Sequence, residues 1–255
     1  MNKPKQIWMY GGGVQSCAIA ALIVQGKLPM PDVAVMADTG RERQSTWDFL
    51  KNKIQPALGL EIQIVDKAKF RAPDLWQGES LLLPVYSDIN GAASKLPTYC
   101  SGYWKKDTLN RYLSEVLKIP PRDRVTWFGF SLDEARRILR MQNAKANSRA
   151  KFRFPLVDDV PLRRGGCVAL VEKMGWGEPP RSACWMCPNQ RHDEWQDLKE
   201  NSPDEFLKAV ELERTVRKKD KNAFFHRSLK PLDSVDFSRE PDLFQRPCDS
   251  GLCFI

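Results

Sequence analysis

The sequence predicts an α/β protein built on a Rossmann-like parallel sheet with helices on both faces, followed by a mainly helical and irregular C-terminal part. Three observations carry this expectation. Short apolar runs alternate with helical periodicity through the first half, which is the pattern of parallel strands joined by crossover helices. The runs are apolar on consecutive residues, as strands covered on both faces are. A glycine triplet separates the first run from the first helix, a placement that leaves backbone N–H groups bare at a helix start.

The elements follow in order. "IWMY" (residues 7–10) precedes a helix over residues 16–25, and "VAVMA" (33–37) precedes one over 44–58. "EIQIV" (61–65) leads to a helix over 103–118, and "VTWFGF" (125–130) to one over 131–141. Trp47, Leu50, Ile54 and Ala57 keep three-or-four spacing, as do Leu109, Tyr112, Leu113, Val116 and Leu117, so both sets are expected to face the core. From residue 142 the pattern becomes irregular, beginning with the polar stretch "NAKANSRAK". "SPDEFLKAVELERTV" restores a helix, with Ser202 as N-cap, Pro203 at the first position and Glu205 closing a capping box. It runs into the basic cluster "RKKDK" at 217–221, and a proline-spotted tail ends in "CDSGLCFI". The expected division is an α/β domain over residues 1–141 and a cysteine-containing region packed on it, with a flexible tail, over 142–255.

The chain has 255 residues, 42% hydrophobic and 28% charged, enough for one large domain or a domain with an appendage. No apolar run reaches the roughly 18 residues that cross a bilayer, and "MNKPKQIW" lacks the apolar core of a secretion signal. A cytoplasmic protein without a membrane partner is expected. Seven cysteines, an odd number, read as thiols or metal ligands in a reduced compartment rather than a disulfide framework. The net charge of +8 fits an anionic partner, nucleotide or nucleic acid, and equally fits a plainly solvated basic surface.

The chemistry concentrates in two stretches at strand ends. In "WMYGGGVQS" the chain offers unpaired N–H groups and a hydroxyl at a helix N-terminus, where a phosphate would be held; taken alone, the triplet reads more readily as a tight strand-to-helix turn, and the second stretch is what shifts the balance. "MADTGRE" follows the next strand, and open parallel sheets bind their ligands at that carboxyl edge. Asp38 could also be an ordinary helix-entry cap.

These two stretches together resemble the adenine nucleotide alpha hydrolase superfamily, whose pyrophosphate loop (PP-loop) reads S-G-G-x-D-S, and within it the phosphoadenylylsulfate (PAPS) reductases. The resemblance spans most of residues 7–190. It implies an adenine nucleotide, PAPS or ATP, with Gly11, Gly12, Gly13, Gln15 and Ser16 at its phosphates. Asp38, Thr39, Gly40 and Glu42 then border the adenosine and its ribose. "WFGFSLDEARR" resembles a further family segment, G-x-R-x-x-E-S, and adds Gly129; Ser131 stands where that segment has arginine, and Arg136, Arg137 and Arg140 are candidates to compensate, although the charged outer face of a surface helix is the favoured reading of the three. Gln15 stands where pyrophosphatase members carry aspartate. An amide cannot help hold Mg²⁺ as a carboxylate does. Gly13-Val14-Gln15 matches the reductase branch, whereas Ser16 matches the pyrophosphatases, for which Mg²⁺ would accompany the nucleotide.

Cys184-x-x-Cys187 in "RSACWMCPNQ" has the spacing of two thiolates on one metal, and such sites usually need four ligands. The family resemblance implies a 4Fe-4S cluster, with zinc as the alternative, at Cys100, Cys184 and Cys187; this chain has one cysteine where the family has a pair, so the fourth ligand is expected from the tail, Cys248 or Cys253. It also implies a catalytic Lys105 in "YCSGYWK". The tail "CDSGLC" loosely resembles the reductases' mobile segment, which implies Cys253 as the nucleophile. Its thiolate would attack the sulfate sulfur, leave a thiosulfonate on the enzyme and release the nucleotide; a thiol electron donor would then be needed. Cys17 and Cys167 read as small buried hydrophobes. His192 and His226 sit beside no convincing base partner and are expected at the surface.

The leading expectation is therefore a PAPS reductase-like iron-sulfur enzyme of sulfur transfer or reduction. A second reading is an ATP pyrophosphatase activating DNA or RNA for sulfur modification. A third is a noncatalytic nucleotide- or DNA-binding regulator with a structural cluster.

Overall fold

The computed structural model describes residues 3–89, 92–144 and 150–238. They fall into two compact units: Met1–Ala72 with Tyr103–Ser182, and Pro73–Gly102 with Ala183–Ile255. Residues 141 and 142, between which the sequence reading draws its boundary, both lie in the first unit.

The first unit is a five-stranded parallel sheet. Its strands are β1 (Lys5–Met9), β2 (Val33–Asp38) and β3 (Ile62–Asp66). After four short strands that belong to the other unit come β8 (Arg124–Phe128) and β9 (Lys151–Arg153). The order is β3-β2-β1-β8-β9, so β1 is central. Trp8 pairs in register with Ala34 on one side and Trp127 on the other. Successive side chains of a strand point to opposite faces, and two separate cores result. Trp8, Ala34, Met36, Ile62 and Trp127 pack in one; Ile7, Val35, Ala37 and Val65 pack in the other with Leu109 and Leu113. Burial of both Ile7 and Trp8 is possible only because helices cover both faces, as the apolar runs predict. Each such large side chain contributes about 1.5–3 kcal/mol by leaving water.

Helix α1 (Val14–Val24) is buried along nearly its whole length, consistent with its lack of charge. The helix expected over 44–58 forms as α2 (Gln44–Phe49), a π-helical stretch (Leu50–Ile54) and α3 (Gln55–Leu58). The widened turn sits just ahead of Pro56, which has no N–H to give to the preceding turn. Between β3 and β8 runs α4 (Thr108–Arg111), flanked by π-helical Ser101–Asp107 and Tyr112–Val116. Val116, expected in the core, is 55% exposed. The π turn takes an extra residue, so the face carrying Leu109 and Leu113 has rotated away by position 116. Then follow α5 (Ala135–Asn143), the single turn α6 (Pro155–Asp158) and α7 (Arg164–Lys173), which packs on α1.

The second unit contains two hairpins, β4 (Trp76–Gln77) with β5 (Ser80–Leu81) and β6 (Tyr86–Ile89) with β7 (Ala92–Lys95). It also holds α8 (His192–Asn201) and α9 (Pro203–Lys219), which pack together. Pro203 starts α9 as expected, but no side-chain hydrogen bond from Ser202 caps it. Its carbonyl instead accepts from Glu205 N at 3.0 Å and Phe206 N at 3.1 Å. The buried Glu213 accepts from Phe225 N at 2.7 Å and Leu232 N at 2.6 Å, pinning the chain after α9. Burial pushes its carboxyl pKa up, against those two hydrogen bonds.

The two histidines are not surface residues. His226 is buried, and its Nε2 lies 3.2 Å from His192 Nδ1, while its Nδ1 lies 2.8 Å from Ser228 Oγ. Phe237 packs on both rings. Burial, then the neighbouring His192, hold the His226 pKa down at about 4. Among the described residues no helix is long and apolar enough to cross a membrane.

Candidate functional site

In the first unit the glycine triplet forms the turn from β1 into α1. Gly12 has φ +77°, and a Cβ there would stand 2.5 Å from Thr46 Cγ2 and 3.1 Å from Met36 Cε. A Cβ on Gly13 would meet Ser182 Cβ at 3.3 Å. The loop is therefore closed in by β2, the start of α2 and Ser182, and only bare backbone fits. Gly13 is the N-cap of α1, with no side-chain cap and no acidic residue in the first turn. This leaves the positive end of the helix without a built-in counter-charge from that turn. The Ser16 hydroxyl accepts from Gly11 N at 2.9 Å, so the loop is folded onto its own helix start. Gly129, at the end of β8, would bring a Cβ within 3.4 Å of Gln15 Cβ and Ser16 N. The structure thus gathers Gly11, Gly12, Gly13, Gln15, Ser16 and Gly129.

The second stretch follows β2. Asp38 Oδ1 accepts from Gly40 N at 2.7 Å, closing a tight turn whose third residue, Gly40, has φ +68°. Thr39, fully buried, accepts from Arg41 N at 3.2 Å. Glu42 is buried too: Oε1 accepts from Ser182 Oγ at 2.7 Å, and Oε2 lies 3.5 Å from Lys105 Nζ. Asp38, Thr39, Gly40, Glu42 and Lys105 thus belong to one neighbourhood, joined to the glycine loop through Ser182. Trp104, also buried, lies under two cations, Lys67 at 4.5 Å and Arg41 at 5.2 Å from its ring centre.

Sequence reasoning passed over Ser182, Trp104, Lys67 and Arg164. Ser182 carried a signal in standing just ahead of Cys184-x-x-Cys187, and Lys67 in following β3 at the same sheet edge. Arg164 lies in "RRGG", read only for its cysteine. Of the candidate compensating arginines, Arg137 is not on an outer face. It is buried, pairs with Glu134 and lies 4.4 Å over the Phe130 ring.

In the second unit Cys184 and Cys187 flank a reverse turn, with Cys187 N donating to Cys184 O at 3.0 Å. A further turn follows, Gln190 N to Cys187 O at 3.1 Å, and Gln190 Nε2 reaches back to Trp185 O at 3.1 Å. Cys100 stands just before Ser101–Asp107, its N–H donating to Leu82 O at 2.9 Å. All three thiols are partly exposed. Thiols on a tight turn fit a soft metal, zinc or iron-sulfur, and not Mg²⁺. Among the described residues no group of three or more His, Cys, Asp or Glu side chains is gathered to hold a metal ion. Cys248 and Cys253 lie outside the described residues. Cys17 and Cys167, in the first unit, are buried, and burial pushes both thiols up to about 12.

No protein-family model matches the chain, and no curated protein matches it. Among solved structures it is similar to the U34-tRNA thiolase NcsA from Methanococcus maripaludis with its 4Fe-4S cluster. The identity is 17%, the match covers 99% of this chain and 81% of that chain, and the TM-score is 0.47.

Proposed function

We propose that the chain is an adenine nucleotide-binding enzyme of sulfur transfer or reduction, of the PP-loop kind and closest in chemistry to PAPS reductases. The observation that carries this reading is the glycine turn. Gly12 is crowded from two sides, the start of α1 carries no carboxylate, and a cation-rich, carboxylate-braced loop lies at the same sheet edge. Such a helix N-terminus takes phosphate. Asp38 to Glu42 would border the nucleoside and Lys105 would serve as the catalytic cation. Cys100, Cys184, Cys187 and Cys248 would hold a 4Fe-4S cluster, which when bound supplies electrostatic and redox tuning that thiols alone cannot. Cys253 would be the nucleophile.

Gln15 supports the reductase reading, since its amide leaves the loop without the carboxylate that a Mg²⁺-dependent pyrophosphatase uses. The net charge of +8 and Ser16 favour the second reading, ATP pyrophosphatase chemistry on nucleic acid. One experiment separates them. Anaerobically purified protein is analysed for iron and sulfide, then given PAPS with a thiol reductant or ATP with Mg²⁺ and DNA or RNA. Sulfite release from PAPS supports the reductase. Pyrophosphate from ATP, dependent on nucleic acid, replaces it with the second reading, and turnover of neither nucleotide overturns both.

A further inference from the structure

Gln15 uses both ends of its side chain. Its Nε2 donates to Glu134 Oε2 at 3.1 Å, and its Oε1 accepts from Arg164 Nη1 at 3.5 Å. Glu134 also accepts from Ser131 N at 3.2 Å and pairs with Arg137. An acidic residue at position 15 would therefore face a second carboxylate, and the amide is the side chain that satisfies both neighbours.

Arg164 is held in place through its backbone. Asp133 Oδ2 accepts from Arg164 N at 2.6 Å, and Asp133 Oδ1 accepts from Arg163 Nη1 at 3.1 Å. The Arg164 N–H bond, then the Arg163 guanidinium, hold the Asp133 carboxyl below its usual range. The start of α7 is thereby tied to the loop after β8, and the Arg164 side chain is laid over the first turn of α1. The neighbouring Arg163 and Arg137 are engaged with Asp133 and Glu134. The Arg164 guanidinium, on an exposed residue, rests on a neutral amide by one long hydrogen bond.

We infer that Arg164 is a phosphate clamp. It rests on Gln15 in the structure and reaches the terminal phosphate group of a nucleotide seated on the glycine turn. A guanidinium binds phosphate through charge-assisted, commonly bidentate hydrogen bonds, which a single 3.5 Å bond to an amide does not rival. The clamp also supplies, from α7, the cation that Ser131 leaves missing after β8. The inference rests on the nucleotide reading above.

The test is calorimetric titration of the full-length protein with ATP, PAPS and adenosine, comparing wild type with Arg164→Ala, Arg164→Lys and Gln15→Glu. Arg164→Ala is expected to weaken the phosphate-bearing ligands by about 10- to 100-fold, the size of one charged hydrogen bond, and to leave adenosine unchanged. Arg164→Lys recovers part of the loss. Gln15→Glu weakens the same ligands by giving the guanidinium a permanent ion partner. Wild-type nucleotide affinity in Arg164→Ala overturns the clamp while leaving the nucleotide reading intact, and so does an equal loss for adenosine. Failure of wild type to bind either nucleotide overturns both.

Discussion

Ser182 donates its hydroxyl to Glu42 at 2.7 Å across 140 residues of sequence. The other oxygen of that carboxylate faces Lys105, so one buried side chain joins the loop after β2, the helical run before β8 and the last residue of the first unit. Removing its charge takes this carboxylate away from Lys105 and weakens the Ser182 bond. Glu42→Gln is expected to cost about 1–3 kcal/mol, read as a lower urea midpoint. Ser182→Ala should cost less, and the double variant less than the sum. Additive losses would mean that the two contacts act independently.

Gly12→Ala sets a methyl group against Thr46 Cγ2 and forces an L-residue to positive φ. Left-handed strain and overpacking together predict a loss of about 2–4 kcal/mol. Nucleotide titration of the folded variant should show weakened binding, because the turn can hold its methyl only by opening. A variant with wild-type stability would mean that the loop is looser than its neighbours imply.

The cysteines should separate by reactivity. At pH 8 thiols held near pKa 12 are almost wholly protonated, so Cys17 and Cys167 should resist alkylation until the chain unfolds. Cys184 and Cys187 should be labelled in chelator-treated protein and protected once metal is restored. Peptide mass mapping reads both groups in one experiment.

His226 makes the second unit acid-sensitive. Its folded pKa of about 4 lies below the 6.5 of an unfolded histidine. Between those values the unfolded chain takes up a proton that the folded chain refuses. Stability from this group is complete above pH 6.5 and falls as pH drops toward 4, by at most about 3 kcal/mol. His226→Gln should flatten that part of the melting curve against pH; an unchanged slope would assign it to other groups.

The sheet was legible because a strand covered on both faces is apolar on consecutive residues, as Ile7 with Trp8 and Val35 with Met36 are, and because these runs are short and alternate with helical periodicity. The glycine turn was legible only together with "MADTGRE" at the end of the neighbouring strand, because glycines alone also make a plain strand-to-helix turn. What escaped notice depends on partners distant in sequence. Nothing local to Ser182 points to Glu42, and nothing local to His226 points to His192. Val116 was misplaced because the spacing rule assumes an α-helical turn, and the π turn at Tyr112–Val116 breaks that assumption. Gln15 was read as a lost carboxylate; its bond to Glu134, 119 residues away, gives the amide a reason of its own.

The central position of β1 has a consequence for synthesis on the ribosome. One edge of β1 pairs with β2, which emerges soon after it, but the other waits for β8, whose first residue is Arg124. Until then the nascent chain presents an unpaired apolar strand edge, the kind of surface that recruits other strands. Early chaperone capture of the growing chain, and aggregation of fragments that stop short of Arg124, are the price of putting the first strand in the middle.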